Sequence, residues 1–375
     1  MSAADVYVHV GPHKSGTTFI QQVLTLNRDR LASHDVLFPG KRYADQRAAV
    51  LELLRTSRGR RPDKRDRPQW GRLVAELDSW SGSAVIISME TLDGASESTM
   101  RDLVGSLEPA RVHIVYTARD LTRVVPGMWQ TRNRNRHTES WNEYISRLRE
   151  TEDSSRWPWK LAGQDPRHVL GRWERHVPRD RIHVVTVPPE GGASGLLWER
   201  FCSVVGLEPL EYSLDVDRAN RSLGNAEAEF LRTLNIRLAT RMSRTSYVRW
   251  VQRRIAQQML EERGRQAPLE LPAEDFPWVC EHAERFVGYL RTAGYDVIGD
   301  LDELIPARPV GGAGQPDSVE EAELLEVAFD VLAGLLVHLD AEEQEMPRWE
   351  RKLQGAGRRL RLLTRKSSRE RSRRP

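Results

Sequence analysis

Residues 8–22, VHVGPHKSGTTFIQQ, place a glycine-threonine loop between an apolar run and an amphipathic run. Glycines ahead of a helix let backbone N–H groups point at an anion, and the helix dipole favours negative charge there. The span from Gly11 to Gly16 has P-loop spacing, but Thr17 stands where such a loop has its phosphate-binding lysine. The lysine is at position 14 instead. The stretch therefore predicts an anion site in which Lys14 projects over the group next to a bound phosphate.

Four further runs, rich in Val and Ile, set the fold class. They read DVYVHVG (5–11), SAVIIS (83–88), RVHIVYT (111–117) and RIHVVTV (181–187), as expected for strands buried on both faces of a parallel sheet. Helical patterns lie between them. One contains Pro126 and should begin close to Arg123, because proline is best tolerated in a first turn. The alternation predicts a doubly wound, mainly parallel α/β fold of P-loop-like type, with its ligand crevice at the carboxyl ends of the strands.

Composition changes sharply toward the C-terminus. Residues 1–305 are expected to form the catalytic domain, 306–316 (PARPVGGAGQP) a linker, 317–350 an acidic helical extension and 351–375 a basic, disordered tail. That tail has eleven Lys or Arg against a single Glu370, whereas the whole chain carries a formal charge of +3. The pI near 8.9 therefore results from the basic tail and does not indicate that the folded domain binds nucleic acid. The extension and tail remain open to docking on the domain, on a partner or on an anionic surface.

Two further features concern the environment of the protein. The two cysteines, Cys202 and Cys280, have neither CxxC nor Cys/His spacing, which disfavours structural zinc and a disulfide framework. The N-terminus has no signal-peptide pattern, and the most apolar later stretch is too short to span a bilayer. We therefore expect a soluble cytoplasmic protein. Residues 55–72 are basic and contain two prolines, which predicts an exposed loop or mobile lid.

Three stretches together resemble one enzyme family. GPHKSGTTFIQQ (11–22) resembles the 5′-phosphosulfate loop, P-K-[ST]-G-[ST]-[TS], of sulfotransferases that use 3′-phosphoadenosine 5′-phosphosulfate (PAPS). VYTARDLTRVVPGMWQ (115–130) is similar to the family's strand-Arg-helix element for the 3′-phosphate, and residues 181–209 are similar to its late strand and following helix. The resemblance covers roughly 5–305 and is greatest to the uncharacterised bacterial branch.

The resemblance implies metal-independent, in-line transfer of a sulfuryl group from PAPS to a hydroxyl or amine of an unidentified acceptor. Lys14 would stabilise the charge on the bridging oxygen, and Arg119 would hold the 3′-phosphate. The family commonly has a serine eight residues after that arginine, where this chain has Gly127. Arg123, or Arg221 with Ser222, could replace that donor. The 5′-phosphate would be held by backbone N–H groups of Ser15, Gly16, Thr17 and Thr18.

Two residues are candidates for the general base. Glu90 directly follows the second predicted strand, where an acceptor should arrive, although it could instead cap or pair with the next helix. His13, inside the loop, is the competitor, as base, phosphate donor or shape element. His9 lies within a strand and is expected to be a packed core histidine.

Two other groups of residues are candidates for contact with the acceptor. Trp157 and Trp159 are candidates for an acceptor pocket or for core packing. RNRNR (132–136) could attract an anionic acceptor, but we favour a solvated helix end.

Two other classes of function remain open. A nucleotide or small-molecule kinase would share the fold, but it would want its lysine at position 17 and would require magnesium. A non-catalytic nucleotide-binding protein would need only the loop, and substitution of Glu90 would then leave it unchanged. In every case, residues 1–305 contain the expected chemistry, with no specific nucleic acid as partner.

Overall fold

The computed structural model describes residues 4–57, 68–150, 162–193, 195–216, 222–263, 269–306 and 316–345. At its centre is a sheet of six parallel strands in the order β2-β3-β1-β4-β5-β6. The strands are β1 (Asp5–His9), β2 (Val36–Leu37), β3 (Ala84–Ser88), β4 (Arg111–Ala118), β5 (Ile182–Thr186) and β6 (Asp296–Ile298). The predicted α/β class, with a parallel sheet flanked by helices, is confirmed. The strand order reverses between β1 and β4, which is where such sheets bind ligands.

Helices connect the strands and cover both faces of the sheet. In chain order they are α1 (Thr17–Leu26), α2 (Arg28–Ser33), α3 (Tyr43–Thr56), α4 (Pro68–Asp78), α5 (Glu97–Ser106), α6 (Leu121–Arg134), α7 (Trp141–Glu150), α8 (Pro166–Trp173), α9 (Leu196–Val205), α10 (Asn225–Leu238), α11 (Arg244–Tyr247), α12 (Glu261–Arg263), α13 (Phe276–Ala293) and α14 (Glu321–Glu345). A π-helix, Val248–Leu260, joins α11 to α12. No described helix is both long and apolar enough to cross a bilayer.

Alternate residues of the strands belong to two separate hydrophobic cores, one on each face of the sheet. Val6 and Val8 of β1 pack with α3, α4, α5, α8 and the end of α13 on one face. Tyr7, between them, packs with α1 and α9 on the other. Because successive strand residues point to opposite faces, a run that is apolar at every position must be covered on both sides. Burial on both faces explains why the four runs are apolar at consecutive positions. Strand β1 pairs in parallel with both β3 and β4.

A third core is mainly helical and lies along one side of α6. It is formed by α6, α7, α10, the π-helix and the first half of α13, with Val327 and Val331 of α14 buried in it. Helix α14 lies within residues 317–350, the predicted acidic extension. Residues 307–315 of the predicted linker and the whole tail lie outside the described residues, and the domain boundaries stay a prediction.

Two local predictions need correction. Helix α6 begins at Leu121 rather than near Arg123, because Asp120 caps it by accepting from the Thr122 N–H at 2.8 Å. Pro126 consequently lies inside the helix. The predicted loop 55–72 is also shorter than expected, since α3 continues to Thr56 and α4 starts at Pro68; residues 58–67 lie outside the described part of the chain.

Candidate functional site

The loop between β1 and α1 has an unusual backbone. Lys14 and Gly16 both adopt left-handed conformations, with φ of 72° and 82°, on either side of Ser15. Position 16 favours glycine, because other residues are strained in this backbone conformation and a Cβ there would collide with Leu197 Cδ2 of α9. A positive φ is uncommon for lysine and carries a conformational cost, which the surrounding structure must offset. The Ser15 N–H donates to the Pro12 carbonyl at 3.3 Å and closes the turn.

A buried polar network supports this loop from below. His9 Nδ1 lies 2.8 Å from Ser88 Oγ, and His9 Nε2 lies 3.3 Å from Thr117 Oγ1. Thr117 in turn contacts Ser15 Oγ at 2.5 Å, and that hydroxyl also donates to the Pro12 carbonyl. Burial lowers the pKa of His9 to about 4, against the opposing effect of Glu90. His9 is thus a core histidine, as predicted, and it ties strands β1, β3 and β4 to the loop.

The network also explains the first glycine of the loop. A side chain on Gly11 would collide with Thr117 Oγ1 and would come within 2.6 Å of His9 Nε2. The position must therefore lack a Cβ for the chain to turn over the buried histidine. The Ser15 hydroxyl and the Ser15 N–H both donate to the Pro12 carbonyl, so both groups are used in closing the turn.

The N-terminus of α1 is open to an anion. Its N-cap, Gly16, offers no side chain, and the first turn contains no acidic residue. The first backbone bond of the helix is Ile20 N–H to the Gly16 carbonyl, which leaves the preceding N–H groups outside the helical ladder. The Thr17 side chain is buried, whereas that of Thr18 is exposed. Backbone donors and the helix dipole therefore both favour a negative group here.

Lys14 extends from this loop across α6. Its aliphatic stem lies against Gly127, the position where the resembled family has a serine. Burial, together with Arg134 and Arg119, lowers the pKa of Lys14 to about 8, with Glu261 opposing. Two arginines and one glutamate thus act on the charge of this buried lysine.

Arg119 follows β4 directly and links two of these groups. Its Nη1 donates to the Lys14 carbonyl at 2.8 Å. Its buried Nε has no hydrogen-bond partner among the described residues. Burial and Arg123 lower the pKa of Arg119 to about 10. An arginine that keeps a buried N–H without a partner is suited to a ligand oxygen, because leaving such a donor unmatched costs free energy.

Two of the other predicted phosphate donors lie near the ends of β5 and α6. Arg123 Nη1 donates to the Pro188 carbonyl at 3.1 Å, beyond the end of β5. Ser222 is exposed, and the adjacent Leu223 is fixed to α6 by two hydrogen bonds with the Gln130 side chain. That contact brings Ser222 to the helix that carries Gly127. Arg221, Trp157 and Trp159 lie outside the described residues.

Glu90 lies at the carboxyl end of β3, where it begins a 3-10 turn (Glu90–Gly94). Its Oε2 accepts from Gln21 Nε2 at 2.9 Å and from the Tyr43 hydroxyl at 3.2 Å. Burial acts to raise the pKa of Glu90, but hydrogen bonds from Gln21, its own N–H and Tyr43, with the charge of His13, outweigh it and hold the pKa below its usual value. The carboxylate is therefore ionised, oriented and close enough to His13 to interact electrostatically.

The RNRNR stretch is not a solvated helix end. Arg132 pairs with Glu139, and Arg134 Nη1 lies 2.9 Å from Glu261 Oε1. Both guanidinium groups are largely buried because the π-helix and the segment before α7 cover the end of α6. Arg136 lies over the ring of Tyr247. These arginines join α6 to neighbouring parts of the helical core, and Arg134 adds to the positive charge around Lys14.

No protein-family model and no curated protein matches this chain. Several solved chains are similar to it. One of them is a sulfotransferase from Alicyclobacillus acidocaldarius, with 16% sequence identity and a TM-score of 0.36. The match covers 66% of this chain and 99% of the other.

A cleft opens beside Glu90. It has a volume of about 560 Å³, and two of its walls, Gln21 and Tyr43, are the residues that hold the Glu90 carboxylate. Four of its seven lining residues have polar, uncharged side chains. The lining residues are Gln21, Gln22, Thr25, Leu26, Tyr43, Asp215 and Val216.

Sequence reasoning missed several residues of this site. Gln164 Nε2 donates to the His13 carbonyl at 2.7 Å and so holds the loop from the side of α8. Asp93 lies one turn after Glu90, and burial raises its pKa to about 7. Its place three residues after Glu90 was the signal that could have identified it. No local pattern pointed to Gln21, Tyr43 or Gln164, because each acts across a long sequence separation.

Proposed function

We propose that this chain transfers a sulfuryl group from PAPS to a hydroxyl or amine of an acceptor. The observation that carries the proposal is the hydrogen bond from Arg119 Nη1 to the main-chain carbonyl of Lys14, which holds Arg119 against the loop that precedes the open N-terminus of α1. Lys14 then serves the reacting end of the donor and Arg119 its 3′-phosphate. PAPS has anionic groups at both of these positions.

The residues present fit such a donor. The free backbone donors at the start of α1 suit the 5′-phosphate, and the buried Arg119 Nε suits an oxygen of the 3′-phosphate. A kinase reading fits less well. The position of the P-loop lysine is occupied by Thr17, whose buried side chain cannot reach a β- or γ-phosphate. Lys14 approaches from the other side of the turn.

The chain's own groups then divide the work of an in-line transfer. The Glu90 carboxylate takes the proton of the acceptor O–H or N–H as the acceptor atom bonds to sulfur. The bond from sulfur to the bridging oxygen of the 5′-phosphate breaks at the same time, and the Lys14 ammonium neutralises the charge that grows on that oxygen. The products are the sulfated acceptor, 3′-phosphoadenosine 5′-phosphate and the proton on Glu90, which solvent removes.

The cleft beside Glu90 is the proposed acceptor site. Amide and hydroxyl groups of Gln21, Gln22, Thr25 and Tyr43 suit a ligand with several hydroxyl or amino groups. The two carboxylates at the site, Glu90 and Asp215, disfavour an anionic acceptor. We therefore propose a neutral or cationic, hydroxyl- or amine-bearing acceptor.

The experiment that tests the donor is calorimetric titration with 3′-phosphoadenosine 5′-phosphate and, separately, with ATP plus magnesium. We expect micromolar binding of the former and much weaker binding of the latter. Arg119→Ala should weaken binding of 3′-phosphoadenosine 5′-phosphate. Arg123→Ala tests whether the neighbouring arginine also contributes to that binding. Tight, magnesium-dependent binding of ATP without binding of the 3′-phosphorylated nucleotide would overturn the proposal in favour of a kinase.

A further inference from the structure

Helix α14 is attached to the protein by one of its faces. Val327 and Val331 are buried against the helical core, and Gly334 lies close to Met259 of the π-helix. Arg263 Nε contacts Asp330 Oδ2 at 2.5 Å, which adds an ion pair to the same face. The position and the orientation of α14 are therefore well determined by packing.

The opposite face of α14 is apolar and exposed. Of the nine large apolar side chains exposed in the described part of the chain, six lie on this helix. Five of them recur with alternating spacings of four and three residues, and each is between 49% and 66% exposed: Leu325, Phe329, Leu332, Leu336 and Leu339. This spacing is that of a coiled-coil seam, and a continuous apolar stripe of this kind normally contacts another helix.

The charge of α14 restricts what can cover it. The helix has eight Asp or Glu and no Lys or Arg between Glu321 and Glu345. A second copy of the same helix would bring like charges together along the seam, which is unfavourable. A basic helix with matching apolar spacing would instead gain from both effects.

The chain that follows α14 has this pattern in its sequence. Residues 346–375 lie outside the described part of the chain. Apolar residues recur there with the same alternating spacings of four and three: Trp349, Leu353, Ala356, Leu360 and Leu363. Between Arg348 and Lys366 there are eight Lys or Arg and one acidic residue, Glu350. The apolar repeat and the opposite charge thus agree with those of the exposed face.

We propose that residues 348–366 dock as an antiparallel helix on the C-terminal half of the exposed face of α14, from Leu332 to Leu339. Helices joined by a short connection are normally antiparallel neighbours, and Pro347 is suited to the turn. A turn at 346–348 places Leu339 opposite Ala356, Leu336 opposite Leu360 and Leu332 opposite Leu363. Gly355 and Gly357 lower the intrinsic helix propensity of this stretch, so packing against α14 would have to stabilise the helix.

Disulfide trapping in the full-length protein tests this register. The double variant Leu336→Cys/Leu360→Cys is prepared with Cys280→Ser, while the fully buried Cys202 is retained. The matched control is Val337→Cys/Leu360→Cys, because Val337 is 71% exposed but lies off the seam. Both variants tether the tail equally. Under mild oxidation we expect the seam pair to form an intramolecular disulfide on the order of tenfold faster than the control, because docking raises the effective concentration of the two thiols.

Two results would overturn the proposal. Equal rates for the seam pair and the control pair would show that the tail meets α14 only by random collision. Disulfide-linked dimers of Leu336→Cys alone, at a rate that rises with protein concentration, would show that a second copy covers the face. Peptide mapping by mass spectrometry distinguishes the intramolecular from the intermolecular bond, and the result is independent of any donor or acceptor.

Discussion

The aliphatic stem of Lys14 lies against Gly127, so that a methyl group on Gly127 would come within 3.3 Å of Lys14 Cδ and 3.5 Å of Lys14 Cγ. This relationship gives a physical reason for the glycine where the resembled family has a serine. Gly127 has no hydroxyl group to donate, but it leaves room for the Lys14 side chain to cross α6. Lys14 is therefore positioned by the surface of α6 as well as by its own loop.

Gly127→Ser should consequently impair the protein although it restores the residue usual in the family. A side chain at 127 displaces the Lys14 stem, and we expect kcat to fall by about 10- to 100-fold, because small misplacements of a reacting group are costly. Gly288→Ala is the matched control, since a Cβ there meets nothing within 4 Å in the helix α13. Steady-state kinetics compare the two, and an unimpaired Gly127→Ser enzyme would contradict the proposed role of the contact.

Lys14→Met should abolish transfer and stabilise the fold. Burial and neighbouring cations lower the pKa of Lys14 to about 8, which means that its charge is held at a cost. Removal of that charge should raise the free energy of unfolding by about 1–3 kcal/mol at pH 7. Urea denaturation measures this gain. Binding of 3′-phosphoadenosine 5′-phosphate should weaken only modestly, because the main partner of Lys14 forms in the transition state; a destabilised variant would count against this reading.

The same lysine predicts an alkaline limit to activity. Lys14 is charged below a pKa of about 8 and neutral above it. Because the neutral amine cannot offset the leaving charge, kcat/KM, which reports the free enzyme, should fall as pH rises through about 8. A pH–rate profile between pH 6 and 10 measures this decrease in kcat/KM. A profile that stays flat to pH 10 would show that Lys14 does not titrate in the free enzyme.

Glu90→Gln should separate chemistry from donor binding. The substitution keeps the shape and the contacts with Gln21 and Tyr43 but cannot accept a proton. We expect the transfer rate to fall by roughly 10²- to 10⁴-fold with unchanged affinity for 3′-phosphoadenosine 5′-phosphate. Glu97→Gln, a change to a surface carboxylate paired with His176, is the control. If His13→Gln removes activity and Glu90→Gln does not, then His13 is the base.

His9 predicts a loss of stability in acid. Its pKa in the folded protein is about 4, below the ordinary value of 6.5, because the imidazole is fully buried. The neutral form therefore contributes stability that is complete above pH 6.5 and is lost as pH falls toward 4. The loss amounts to about 3 kcal/mol. Urea denaturation at pH 7.5 and 4.5 tests this, and His9→Gln should remove most of the difference between the two values.

Much of this architecture could be predicted from local sequence. Each of the four Val/Ile-rich runs is a strand of the sheet, since burial on both faces leaves a mark in consecutive residues. Strands β2 and β6 have only two and three residues and so show no periodicity. The start of α6 was placed two residues late, because Asp120 caps the helix ahead of Pro126. Short elements and exact ends depend on contacts beyond the local pattern.

Residue types and order along the chain by themselves determined the α/β class, the loop with its displaced lysine, and the placement of Arg119 and Glu90 at strand ends. Only the tertiary structure decided that Gln21 and Tyr43 hold Glu90, that Gly127 receives Lys14, and that Arg132 and Arg134 are buried in ion pairs rather than solvated. Strand and helix periodicity arises from neighbouring residues, whereas these contacts join residues that packing brings together from distant parts of the chain.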